Sequence, residues 1–166
     1  MALPTRNALG SSTTLRKWYC DVDTSAVPHT IPVWVPIMGV TSFKPSLNPT
    51  WKDDSDFDGG GDKSSTATAR EWGVEMKVVR KVTAALSTAY DPGQEVLRLR
   101  AESVGVANSI PVRWYEMEAG GPTVEAYSGN AGVEWSPEGG SLDDLDAVSI
   151  KLLGQGKRTA IVHPAP

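Results

Sequence analysis

The sequence has a single cysteine, Cys20, so it holds no internal disulfide framework and no multi-thiolate zinc site. A chain that matures in a reducing compartment is expected. Histidine is nearly as scarce: His29 and His163 are the only two, each beside a proline, and no G-x-S-x-G, H-E-x-x-H, P-loop or dinucleotide fingerprint occurs. The sequence therefore offers no catalytic constellation and calls for no cofactor. No stretch reaches the apolar length of a membrane span, and the opening MALPTRNALGSSTTLRKW lacks the apolar core of a signal peptide. The expectation is a soluble protein made inside the cell, with no membrane partner. Basic surface is also wanting: 16 basic against 20 acidic residues leave a formal net charge of -4, which disfavours tight nucleic-acid binding.

What is present points to one β domain. A length of 166 residues suits a single core, and 16 glycines with 12 prolines punctuate the backbone as sandwiches and barrels require and helical bundles do not. Met1–Thr14 reads as a flexible arm, and Arg16–Asp23 as a first strand. Ile31–Phe43 is β-branched but broken by Pro32, Pro36 and Gly39, which predicts an edge strand, a kink and a second short strand. Lys44–Arg70 shows neither helical nor strand period over its 27 residues and reads as a long interaction loop. In EWGVEMKVVRKV a period of two places Trp72, Val74, Met76, Val78 and Val82 on one face, with Arg80 as the single charge among them. Asp91 as N-cap, Pro92 and Glu95 open the one helix, with Val96, Leu97, Leu99, Ala101 and Val104 on its buried side and Gly105 as its stop. Further strands are predicted at Ile110–Glu118, Thr123–Ser136 with a break near Gly129, Ala147–Leu153 and Arg158–Val162. Glycine pairs and the Gly154–Gly156 segment mark turns between them. Strands, one helix, then strands imply an antiparallel β-sandwich or partial barrel with a flanking α-helix.

Four features bear on function. Asp54, Asp56, Asp58 and Gly59 match the first half of a calcium loop, but Ser65 stands where a bidentate glutamate belongs, so a solvated turn is the competing reading. Cys20 lies in a strand pattern with no local histidine and reads as a small core residue; Asp143-Asp144 reads as a solvated turn. Between Trp114 and Ile150 there are eight acidic residues and no lysine or arginine, and Glu116 and Glu118 lie two apart on one predicted strand. A negative sheet face repels nucleic acid, whereas solubility alone would favour mixed signs. Of the six tryptophans, Trp51 sits in the predicted loop and suits a neighbouring subunit better than its own core.

The run VWVPIMGVTSFKPSLNPTWKDDSDFDGGG, then REWGVEMKVVRKV, AYDPGQEVLRLRAESVG, VRWYEME and TVEAYSGNAGVEWSP, resembles the major tail tube protein of long-tailed bacteriophages of actinobacteria. The resemblance covers most of the chain. It implies the tail tube β-sandwich with a flanking helix, shared with the type VI secretion tube protein. It implies hexameric rings stacked into a hollow tube in the virion tail, through which the genome passes without specific binding. It also implies partners at the tail tip, a tape measure protein and a tail terminator. On this resemblance Glu116, Glu118, Glu125 and Glu134 are candidates to line the bore. The segment with Trp51, Lys52, Asp53, Asp54, Asp56, Phe57 and Asp58 would reach the adjacent ring. A tail terminator or head decoration protein, and a calcium-dependent module at Asp54–Asp58, are the alternatives.

Overall fold

The computed structural model describes residues 12, 18–83, 88–117 and 121–164. The predicted N-terminal arm, Arg16 and Glu118 lie outside the described residues, apart from exposed Ser12. Among the described residues there are seven strands and one α-helix. The strands are β1 (Trp18–Asp23), β2 (Trp34–Pro36), β3 (Val40–Asp53), β4 (Ser65–Val79), β5 (Ser109–Glu116), β6 (Ala126–Glu138) and β7 (Ala147–Ala160). The helix α1 spans Pro92–Ala101. All strands join one antiparallel sheet in the order β2-β1-β5-β6-β7-β4-β3.

The two edges of this sheet, β2 and β3, are neighbours in the chain, so the link between them draws the sheet into a partial barrel. The Ile37 N–H donates to the Cys20 carbonyl at 3.0 Å, and Trp18 stacks on Phe43 with ring centroids 5.8 Å apart. The alternation read in β4 holds: Trp72, Val74, Met76 and Val78 are buried against Val112, Trp114, Val133, Ile150 and Leu152. Trp72 and Trp114 stack across the interior at 5.1 Å. Cys20 is buried here, and burial together with the neighbouring Asp21 charge pushes its thiol pKa up, which makes it an inert core residue.

Helix α1 closes one end. The Asp91 carboxylate accepts from the Gln94 N–H at 3.0 Å, and the Gln94 side-chain amide donates to the Met38 and Val79 carbonyls, tying the helix to both edges of the β3–β4 pair. Gly93 allows contact with the chain before β3, since a Cβ there would stand 2.4 Å from the Pro36 carbonyl oxygen. Arg80 sits just beyond β4, its side chain only 7% exposed, under Tyr90 and beside Trp135, and donates to Glu95 at 2.6 Å.

Four expectations need correction. Val82 lies outside β4 and is 51% exposed, because the strand ends at Val79. Leu99 and Val104 are exposed; this ten-residue helix turns one narrow side inward, through Gly93, Gln94 and Leu97. Gly154 and Gly156 form no turn: β7 runs through them as one strand. The segment Lys44–Arg70 is not a loop but the greater part of the β3–β4 hairpin, with non-strand residues only at 54–64. Its strands showed no period because neither of their faces is buried, so nothing selects an alternation of apolar residues.

Candidate assembly site

The β3–β4 ladder extends from Val40↔Val78 to Asp53↔Ser65, but β4 pairs with β7 only between Gly73 and Val79. Beyond Gly73 the hairpin leaves the sheet as a two-stranded arm, with Ser65–Glu71 all exposed. Six or seven residues per strand give it a reach of roughly 20 Å. It carries Trp51, 60% exposed, Lys52, and at its tip Phe57, fully exposed. A two-stranded ribbon with large aromatics in water gains little from its own chain.

The tip is ordered by its own carboxylates. Asp56 accepts from the N–H groups of Asp58 and Gly59 at 3.1 Å, and Asp53 from the Ser55 N–H at 2.9 Å. The Thr66 hydroxyl donates to Asp54. Bonds from Ser55 hold the Asp53 carboxyl below its ordinary pKa range, and those from Thr66 and Ser64 do the same for Asp54. Gly60 and Gly61 close the turn at φ values of 64° and 95°, where a side chain would be strained. These carboxylates serve the turn and do not converge: among the described residues no group of three or more His, Cys, Asp or Glu side chains could hold a metal ion. The calcium reading of Asp54, Asp56 and Asp58 gains no support, for Asp56 is turned to backbone N–H groups and Asp54 to the Thr66 hydroxyl.

The bore candidates scatter. Glu116 is 3% exposed, and its carboxylate accepts from the Val124 and Glu125 N–H groups at 3.3 and 3.5 Å. It anchors the segment before β6 and presents no charge to solvent, which corrects its candidacy as a surface residue. Glu118 lies outside the described residues. Glu125 is half-buried beside the Tyr127 hydroxyl. Only Glu134 stands on an exposed sheet face.

That face is not of one sign. Across four strands the register aligns Lys44 with Glu75, Glu75 with Lys151, and Lys151 with Glu134. In the next rows Lys77 pairs with Glu138, whose carboxylate also accepts from the Ser149 hydroxyl, and Ser42 and Ser136 stand between the charges. Within the basic-free stretch from Trp114 to Ile150, Glu134 and Glu138 are thus met by lysines from β7 and β4. The strands carrying Glu75, Glu134 and Lys151 are expected from the sequence, whereas Lys44 falls in the segment read as a loop; the order of the strands in the sheet brings the signs together.

One further cluster mimics a catalytic arrangement. Ser25 Oγ and Asp23 Oδ2 lie 3.0 and 3.1 Å from His29, but both contact the same ring nitrogen, Nδ1. A nucleophile relay needs the hydroxyl on one nitrogen and the carboxylate on the other. Asp23 also accepts from the Ser25 and Val33 N–H groups at 2.8 Å, so the cluster holds the turn after β1. Asp144 caps its own turn through the Ser141 N–H, and Asp143 is exposed.

No family model matches the sequence, and no curated protein does. Solved structures match the fold. One is a chain in the tail of an empty gene transfer agent particle, from helical refinement with C6 symmetry: TM-score 0.65, 10% identity, covering 91% of this chain and 100% of that one. Another belongs to the PVC sheath/tube terminator of an extracellular contractile injection system in the extended state: TM-score 0.59, 12% identity, 92% and 100% covered. A third belongs to the tube-terminating cap of the anti-feeding prophage: TM-score 0.57, 11% identity, 95% and 97% covered. At such identities the likeness is one of fold.

Proposed function

We propose that this chain is a structural subunit of a phage tail tube, forming hexameric rings that stack into a hollow conduit for the genome. The observation that carries the reading is the β3–β4 arm, which leaves the sheet after Gly73 and exposes Trp51 and Phe57 on a fold shared with a tail and two tube-ending proteins. An arm that protrudes on one side and fits elsewhere on the next copy makes a heterologous contact, and where the rotation does not close such contacts propagate as filaments. The resemblance in sequence narrows the particle to a long-tailed phage of actinobacteria, made in the host cytoplasm, with tail-tip, tape measure and terminator proteins as partners.

The exposed face of β3, β4, β7 and β6 suits the bore. Its charges are paired in rows and its other positions are mostly small and polar, Leu153 being an exposed apolar exception, so a polyanion passing along it meets no free cationic patch. This replaces a uniformly acidic wall with a balanced one. The role is mechanical, with no catalytic step and no cofactor.

A second reading has support from the two solved neighbours that end tubes: a terminator, which forms a ring without indefinite stacking. Negative-stain microscopy of the concentrated purified chain separates the two. Long hollow tubes are the expected result; discrete rings assign the terminator role, and particles of neither kind overturn both.

A further inference from the structure

Where the arm leaves the sheet, it opens a cleft that none of the described residues occupies. The β4 edge from Ser65 to Trp72 and the β7 edge from Gly154 onward diverge with no strand between them among the described residues. The cleft measures about 500 Å³. Leu47, 38% exposed, and Tyr127 form its accessible apolar wall, and beneath them the buried Trp72 indole N–H donates to the Gly156 carbonyl at 2.8 Å. Its charge is basic: Arg70, Lys157 and Arg158 line it against the single carboxylate of Glu71, and Arg158 lies 4.1 Å over the Tyr127 ring.

The arm's tip has the opposite character. Residues 53–63 carry Asp53, Asp54, Asp56, Asp58 and Asp62 against Lys63 alone, an excess as large as the net charge of the whole chain. In their midst stands Phe57, fully exposed. The tip cannot reach its own cleft, because the ladder out to Asp53↔Ser65 holds it away from the arm's root.

We infer that the acidic tip of one copy docks into the basic cleft of another, Phe57 packing on Leu47 and Tyr127 while the tip carboxylates meet Arg70, Lys157 and Arg158. The occupant is a second copy of this chain, chosen by charge complementarity and by the aromatic at the tip. This inference rests on the proposed self-assembly and names the surface that receives the arm.

The test uses full-length chains. A copy carrying Asp58→Cys is mixed with a differently tagged copy carrying Lys157→Cys and oxidised; Cys20 is buried and does not compete. The expected result is a mixed disulfide about tenfold or more above a control pairing Asp58→Cys with Leu142→Cys, because docking raises the effective concentration of the two thiols. A yield equal to the control overturns the docking. So does protection of Lys157 from acylation by duplex DNA without tip cross-linking, which would assign the cleft to nucleic acid.

Charge reversal adds an arm scored in tubes. Asp54→Lys with Asp58→Lys, and separately Lys157→Glu with Arg158→Glu, should each abolish assembly, and combining the four in one chain should restore it. No restoration in a chain with parental far-UV circular dichroism also overturns the docking. Absence of tubes from the parent chain refutes the proposed function instead, while the cross-link still decides the docking.

Discussion

Trp72 lies flat over Gly154: a Cβ built on that glycine would stand 2.4 Å from the indole ring. The glycine therefore lets an aromatic from β4 fill the interior at the point where β4 and β7 part. Gly154→Ala forces the ring aside and should cost roughly 1–3 kcal/mol as an overpacked core. Gly139→Ala, with nothing near the new methyl, is the control and should stay within about 0.5 kcal/mol. Urea unfolding measures both, and equal midpoints for the two variants would count against the packing assigned to Trp72.

Acid sensitivity should trace in part to Asp23. Burial raises the pKa of this carboxyl, but bonds from Ser25 and Val33 and the nearby His29 outweigh it, so the folded value lies below the ordinary one. A depressed carboxyl contributes stability above its unfolded pKa, and that contribution is lost as pH falls through the folded value. Asp23→Asn should cost roughly 1–3 kcal/mol at neutral pH, and progressively less as pH falls below the ordinary carboxylate range. Denaturant midpoints across that fall in pH check this; an equal loss throughout would remove the titration from the account.

Replacing Thr50–Ala69 by Asn-Gly removes the arm but keeps β3 residues that pair with the sheet-bound part of β4. The body should keep its stability within about 0.5 kcal/mol, since the removed residues are solvent-exposed. Sedimentation should then find a folded chain that no longer polymerises. Continued tube growth would remove the arm from the assembly mechanism.

Glu75→Lys with Glu134→Lys turns the row through Lys44 and Lys151 wholly basic. Like charges opposite one another should cost roughly 0.2–1 kcal/mol per pair and leave the chain folded. Tubes should still form, and genome ejection from particles carrying the variant should slow. Unchanged ejection kinetics would place this face away from the bore.

The sequence by itself determined the elements whose residues meet a boundary between core and water. The alternation through Trp72, Val74, Met76 and Val78, and the Asp91-Pro92 start of α1, were legible because burial on one side and backbone capping on one end each select residue types locally. The arm was illegible for the complementary reason: strands wet on both faces are under no such selection, so β3 and the first half of β4 resembled a loop. Only the tertiary structure decided the meaning of the charge. Glu134 faces Lys151, and Lys151 faces Glu75, because β6, β7 and β4 are neighbours in the sheet though far apart in the chain. Strand order is set by packing among distant segments, so Glu134 and Glu138 of the acidic run came to face lysines, while a cluster of aspartates stands at the tip of the arm.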